Sequence, residues 1–284
     1  MPELPEVEVV TRSLKKTIKN RKIIKIIVNN RNLRLKLPKD FESVLKNRII
    51  KNVTRKSKYI IFDFGKNFYL ILHLGMSGTL HIPSKKNITN LSFYGNPTFP
   101  KKHNHVIIEL NKIKLVYNDP RRFGYFKILN NKKNFDKYFT RIGPEALDKD
   151  FNLSYLKDKI KNRKKNIKNF LLDQKIVSGL GNIYVNEILF KSKISPMKSV
   201  RILKSAELIK IIKYSRLTLI NAIKFGGSSI KNFKGVSGSG GNFQTKFTVY
   251  NKENQKCAKS NCKGVIQKRY ISNRSTFICS FCQT

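Results

Sequence analysis

The 284 residues predict a multidomain α+β protein whose strands, helices and cysteine-rich tail follow one another in separate blocks. Three observations predict this. Runs of β-branched and aromatic residues, broken by Gly, Asn and Pro, dominate from about Lys22 to Leu129. Helical apolar spacing dominates from Leu153 to about Phe225. All four cysteines lie between Cys257 and Cys282. A chain of this length holds two modest domains, each with its own core. A hydrophobic content of 40% fits a globular protein rather than a disordered one.

Pro5 to about Lys19 reads as the first helix. Val7, Val10, Leu14 and Ile18 line one face. Pro5 suits a first turn, Glu6 and Glu8 the positive end of the dipole, and Lys15, Lys16 and Lys19 the negative end. Strands follow at Ile23–Val28, Tyr59–Phe64, Phe68–Leu74, His105–Leu110, Lys114–Tyr117 and Tyr125–Leu129. Short strands at this spacing suggest a β-sandwich or barrel over residues 1–130. Residues 131–152 are polar, contain Gly143-Pro144, and read as a linker. Residues 153–246 read as helical, with Ala206–Phe225 the longest element and Leu208, Ile211, Ile212, Leu219 and Ile223 its core candidates. Ser178-Gly179-Leu180-Gly181-Asn182 reads as tight turns joining two helices, a junction whose amides can hold phosphate. Residues 226–241, rich in Gly and Ser, read as a mobile loop, and 247–284 as short strands around the cysteines.

The formal charge is +42, from 59 Lys+Arg against 17 Asp+Glu. Such a surface favours a polyanion, nucleic acid first. Part of the lysine content accompanies a general abundance of Lys, Asn and Ile and reads as solvated surface. Glu3, Glu6 and Glu8 stand where a secretory signal carries basic residues, and no apolar segment follows. No stretch approaches the ~20 apolar residues of a membrane span. The expectation is a soluble, cytoplasmic protein without a membrane partner.

Two features carry candidate chemistry. Removal of Met1 would turn Pro2 into a free secondary amine beside the Glu3 carboxylate. A secondary amine attacking a sugar C1′ gives an iminium, an electron sink that acidifies the C2′ proton. An α-amino group titrates near pH ~8, so much of it is neutral and nucleophilic at cellular pH. Taken alone, the opening residues equally describe a helix start, and that is the plainer reading of them. The second feature is Cys257-x4-Cys262-x16-Cys279-x2-Cys282, two pairs around a hairpin, a ligand set that suits one tetrahedral Zn2+. The alternative is four unpaired structural cysteines. A tail this small and charged gains its stability from metal binding. Its Ser272–Thr276 segment would present Arg274 to a phosphate, or simply to solvent.

Six segments, in order, resemble the formamidopyrimidine-DNA glycosylases: Pro2 to Glu8; Lys58-Tyr59; His73 to Gly78; Asn118 to Gly124; Gly179 to Tyr184; and Asn273 to Phe277. The resemblance spans nearly the whole chain. It implies an N-terminal β-sandwich with flanking helices, a C-terminal helix–two-turn–helix domain and a zinc finger of four cysteines. It implies a bifunctional DNA glycosylase/AP lyase of base-excision repair that removes oxidised purines, chiefly 8-oxoguanine and formamidopyrimidines, and then cuts the strand. On this resemblance Pro2 forms the Schiff base at C1′ and Glu3 is the acid/base. Lys58 serves β-elimination and Arg274 δ-elimination, leaving a one-nucleotide gap with phosphate at both ends. His103, Arg121 and Arg163 match DNA-contacting positions, with Arg163 standing where the family usually has lysine. Lys168 and Asn182 resemble phosphate-binding residues. Met76, Arg121 and Phe123 match the trio that fills the stack when the damaged nucleotide is flipped out. The four-residue spacing of the first cysteine pair departs from the two found in many members. Residues 226–241 correspond to the loop that covers the flipped base.

The nearest rival is the endonuclease VIII branch, which prefers oxidised pyrimidines. The form of the N-terminus and the Met76/Arg121/Phe123 trio favour the purine branch. A non-catalytic nucleic-acid-binding zinc protein is the rival of another class, and the joint presence of Pro2, Glu3, Lys58 and Arg274 argues against it. The expected partner is damaged double-stranded DNA bound by a monomer, since nothing reads as a dimer seam. His73 reads as a buried strand histidine at least as well as a functional one.

Overall fold

The structure, a computed structural model, describes residues 2–83, 88–90, 101–228 and 241–284. The chain forms two compact units. One is Met1–Phe139 with Phe225–Asn242; the other is Thr140–Lys224 with Phe243–Thr284. The loop expected over 226–241 falls largely on residues 229–240, outside the described residues.

The first unit opens with helix α1 (Leu4–Ile18). Its expected apolar stripe, Val7, Val10, Leu14 and Ile18, is buried throughout. Strand β1 (Ile23–Val28) and a short helix α2 (Phe41–Leu45) follow. Strands β2 (Asn52–Lys56), β3 (Tyr59–Asp63), β4 (Tyr69–His73) and β9 (Tyr125–Leu129) form an antiparallel sheet in the order β2-β3-β4-β9. Strands β5 (Thr79–Pro83), β6 (Ile88–Asn90), β7 (Asn104–Leu110) and β8 (Ile113–Asn118) join β1 in a second sheet, order β1-β7-β8-β5-β6. Side chains alternate across a strand. Ile60, Phe62, Leu70, Leu72 and Phe126 of the first sheet therefore share one core with Leu80, Val106, Ile108 and Leu115 of the second. The result is a β-sandwich flanked by helices.

The N-terminal part of the expected linker is not one: Lys132–Phe139 forms helix α3. Phe135, Tyr138 and Phe139 recur at three- and four-residue spacing and cover the outer face of the first sheet. Phe135 meets Tyr69 with ring centroids 4.4 Å apart, and Phe139 meets Tyr59 at 5.6 Å. The surrounding Lys and Asn residues hide that stripe in a composition reading. Strand β2 is hidden similarly, since only Val53 of Asn-Val-Thr-Arg-Lys is buried and the strand lies at a sheet edge.

The second unit contains α4 (Leu153–Ile160), α5 (Ile167–Leu172), α6 (Asn182–Ser192) and α7 (Ser205–Lys224). Of the core candidates on α7, Leu208, Ile211, Ile212 and Leu219 are buried, whereas Ile223 is half-buried. Between α5 and α6, Gln174 organises the turns. It accepts from the Gly179 amide at 3.0 Å and donates to the Leu180 carbonyl at 2.8 Å. Gly179 sits at φ +90°, a conformation open to glycine. Strands β10 (Ile266–Ile271) and β11 (Arg274–Cys279) form the expected hairpin around the cysteines. Glu187, fully buried on α6, accepts from the amides of Thr248, Val249 and Tyr250, fixing the entry to that hairpin segment. Among the described residues, no helix is long and apolar enough to cross a membrane.

Candidate active site and nucleic-acid interface

The candidate residues fall into two groups, one in each unit. In the first unit, Pro2 and Glu3 immediately precede α1, with Glu3 at the N-cap. Both are buried, Glu3 to 3% exposure. The Glu3 amide donates to Glu6 Oε2 at 2.9 Å, the reciprocal end of a capping box. The other oxygen, Glu6 Oε1, accepts from the amide and hydroxyl of Ser228 at 2.8 and 3.0 Å. Glu6 thus fixes the head of α1 to the root of the 226–241 segment. Its sequence context suggests only a partner for the helix dipole, although the Glu3-x-x-Glu6 spacing is itself the capping signal.

Lys58 is buried in the two-residue turn between β2 and β3. Ser57 beside it has φ +54°. Arg55 holds this turn: it donates to the Ser57 carbonyl at 2.9 Å and to Glu8 Oε2 at 2.7 Å. The Lys58 turn is therefore tied to α1 through an ion pair that is mostly shielded from solvent. Burial, helped by the charges of Lys58 and Arg34, pushes His73 down to about 4. Its Nδ1 accepts from the Gly75 amide at 3.0 Å, so the neutral ring carries its proton on Nε2.

Met76 and Phe123 are exposed, 44% and 43%, on the β4–β5 and β8–β9 connections. An exposed methionine and phenylalanine on neighbouring turns differ from ordinary core packing. The Arg121 guanidinium lies over the Phe123 ring, 4.6 Å from its centroid. His103 ends a 3-10 turn before β7, and its carbonyl accepts from the Asp119 amide at 3.0 Å.

In the second unit, Lys168, Asn182 and Arg274 converge on the hairpin tip. Lys168, fully buried on α5, donates from Nζ to the Ser275 carbonyl at 2.9 Å and to Thr276 Oγ1 at 2.6 Å. Asn182, the first residue of α6, donates to the same Ser275 carbonyl at 2.9 Å. Asn186 Oδ1 accepts from the Phe277 amide at 2.8 Å. These bonds leave the Arg274 side chain exposed beyond the Ser272-Asn273 turn. Burial, with the Arg274 charge second, lowers Lys168 to about 8. Arg163 stands half-buried in the turn after α4, where its amide donates to the Ile160 carbonyl at 3.2 Å. Asn186 and Glu187 carry no sequence signal for this duty, because both look like polar positions on an apolar helix.

The ligand atoms of Cys257, Cys262, Cys279 and Cys282 all lie within 4.8 Å of one another, an arrangement that could hold a metal ion. The Cys257–Cys282 and Cys262–Cys279 Sγ separations are 3.8 and 3.6 Å, well beyond a bonded pair.

This arrangement has counterparts among known proteins. The model of the formamidopyrimidine-DNA glycosylase N-terminal domain matches residues 1–126, and that of the formamidopyrimidine-DNA glycosylase H2TH domain matches residues 142–234. The chain belongs to the formamidopyrimidine-DNA glycosylase family. It is thus a DNA glycosylase of base-excision repair. A formamidopyrimidine-DNA glycosylase of Wolbachia pipientis wMel is 39% identical over 284 residues, covering all of both chains. Among solved structures, a mutant Lactococcus lactis enzyme of the family in complex with Fapy-dG containing DNA has a TM-score of 0.88 and 34% identity, with both chains covered fully. The Lactococcus lactis enzyme with DNA containing an abasic site has a TM-score of 0.87 and 34% identity over 99% of each chain.

Proposed function

We propose that this glycosylase excises oxidised purines, 8-oxoguanine and formamidopyrimidines, through a Schiff base on Pro2 and then cuts the strand by β,δ-elimination. The observation that carries the proposal is the head of α1. There Pro2, which becomes a secondary amine once Met1 is removed, adjoins the buried Glu3 carboxylate, in the unit whose Lys58 turn is held to the same helix by Arg55 and Glu8. The partial positive charge of a helix N-terminus disfavours an ammonium there and keeps Pro2 nucleophilic. The amine nitrogen bonds to C1′ as the base leaves with the C1′–N bond pair, and Glu3 transfers the protons of base release and ring opening. Ring opening breaks the C1′–O4′ bond and leaves the iminium; solvent water takes the C2′ proton, the C2′–H electron pair forms an enamine, and that pair expels the 3′ phosphate. Lys58 supplies the cation for that departure, and Arg274 the cation for loss of the 5′ phosphate. His103, Arg121, Arg163, Lys168 and Asn182 hold the phosphate backbone around the damage. Met76 and Phe123 replace the flipped nucleotide in the stack, and Arg121 holds the orphan cytosine.

The four thiolates would hold one structural Zn2+. A tetrahedron with Zn–S bonds of about 2.3 Å has edges of about 3.8 Å, and the Cys257–Cys282 and Cys262–Cys279 sulfur separations of 3.8 and 3.6 Å are close to that. The ion would supply the clamp that the small hairpin lacks.

The deciding experiment is borohydride trapping on duplex DNA with 8-oxoguanine opposite cytosine. A covalent adduct that disappears in Pro2→Gly is expected. Absence of any adduct on 8-oxoguanine, formamidopyrimidine and abasic DNA would remove the mechanism. An adduct formed only on oxidised-pyrimidine DNA would move the chain to the endonuclease VIII specificity.

A further inference from the structure

Met76 and the Arg121/Phe123 pair come from different connections, Leu74–Gly78 and Asp119–Gly124. Two independent surface loops would present three independently moving side chains. One buried carboxylate joins them. Asp119 is fully buried. Its Oδ1 accepts from Ser77 Oγ at 2.5 Å, next to Met76. Its Oδ2 accepts from the Tyr117 hydroxyl at 2.9 Å and from the Gly124 amide at 2.8 Å, next to Phe123. Ser77 Oγ also accepts from the Arg121 amide at 3.2 Å, so the same hydroxyl bridges both connections. The backbone of Asp119 is held as well: its carbonyl accepts from His105 Nε2 at 2.8 Å and from the Arg122 amide at 3.1 Å.

Steric evidence is independent of these bonds. A Cβ on Gly75 would lie 2.4 Å from both the Phe123 carbonyl carbon and the Gly124 nitrogen. A Cβ on Gly124 would lie 1.9 Å from the Tyr117 hydroxyl. The two connections therefore pack backbone against backbone, and glycine is required on both sides of the contact. A polar atom buried in such a joint is costly to leave without its partner. The network accordingly has a strong preference for one arrangement of the two turns.

We propose that Asp119 is a positioning residue that welds the two connections into one wedge, so that Met76, Arg121 and Phe123 enter the DNA stack as a unit. This deepens the intercalation reading given above and rests on it. Asp119 touches neither the sugar nor the base in this scheme. It acts through the pre-set spacing of three side chains, which removes the ordering cost they would otherwise meet on entering the duplex.

The test compares two substrates, a duplex carrying 8-oxoguanine opposite cytosine and a single-stranded oligonucleotide with a preformed abasic site. The second has no stack to open and no orphan base to hold. Asp119→Ala and Ser77→Ala should each lower kcat/KM on the duplex by roughly tenfold or more, while borohydride trapping on the single strand stays within about twofold of the unaltered protein. Asp119→Asn should lose less, because an amide oxygen can still meet the Gly124 amide and hydroxyls can reverse their donors. Ser77 is a half-buried turn residue, so Ser77→Ala decides the matter if Asp119→Ala does not fold. In the Phe123→Ala background, Ser77→Ala should add little, since residues that act through one element are non-additive. Equal losses on both substrates, or full additivity with Phe123→Ala, would overturn the proposal. If Met76→Ala and Phe123→Ala themselves leave duplex excision unchanged, the intercalation reading fails and the weld falls with it. If those two are slow and Ser77→Ala is not, only the weld fails.

Discussion

The candidate residues of the N-terminal unit hang on a large apolar core, whereas those of the C-terminal unit hang on polar bonds and a thiol cluster. Glu3 and Lys58 lie at the ends of elements whose inner faces bury Val7, Val10, Ile60 and Phe62. Arg274 instead sits on a two-stranded hairpin whose own cluster is small, with Ile266, Phe277 and Cys279 among its few buried members. Its tip is placed by Lys168 and Asn182, both reaching the Ser275 carbonyl. An isolated two-stranded hairpin is marginal in water. The elements that carry Glu3 and Lys58 should therefore stay folded when a single polar contact is lost, whereas the Arg274 hairpin should depend on its hydrogen bonds and on any metal held by the thiol cluster.

The largest expected effect tests that contrast directly. Removing the zinc proposed for the thiol cluster, or Cys279→Ser, should cost the hairpin most of its stability, since a structural zinc site supplies on the order of 10 kcal/mol. Hydrogen exchange should then show loss of protection over Ile266–Cys279 while the amides of β3 and β4 stay protected. Strand cleavage should fall with it. Simultaneous loss of protection in β3 and β4 would break the comparison.

A smaller effect concerns Lys168, which is uncharged above about pH 8 because burial, and then Arg274, disfavour its cation. If its charge serves phosphate binding, kcat/KM should fall as pH rises through about 8. Lys168→Met should lower the plateau by roughly tenfold and abolish that limb of the profile. A limb that persists unchanged in Lys168→Met assigns the titration to another group.

The smallest effect belongs to the N-terminal unit. His73 titrates at about 4 in the fold against 6.5 for the free side chain. The folded state binds fewer protons between these values, so His73 destabilises the fold progressively as pH falls from about 6.5 to about 4. His73→Gln should flatten the stability–pH curve there by an amount on the order of 1–2 kcal/mol, measured by urea unfolding at several pH values. His81, also lowered to about 4 by burial, keeps its own share of the slope in that variant. An unchanged slope in His73→Gln would place the acid sensitivity elsewhere.

How much is legible in the sequence varies with the kind of signal. Strands β1 and β9 are readable to the residue, because their apolar runs are bounded by polar and turn-forming positions. The cysteine spacing leads straight to the thiol cluster. Helix α3 escapes a composition reading because its three aromatic anchors sit among lysines and asparagines. Asp119 lies within a recognisable motif yet shows no duty there, because its donors come from Ser77, 42 positions away, as well as from its own turn.

The sequence by itself determined the family, the order of the blocks, the Pro2-Glu3 pair at the N-terminus and the four thiols, since these are local patterns and residue chemistry. Only the tertiary structure decided that Glu6 ties Glu3 to Ser228, that Arg55 anchors the Lys58 turn to α1, and that Asp119 joins two loops. Each of these ties contains a hydrogen bond between residues more than forty positions apart. Nothing in a single sequence reports which distant donor will meet a given buried carboxylate until the backbone has brought them together.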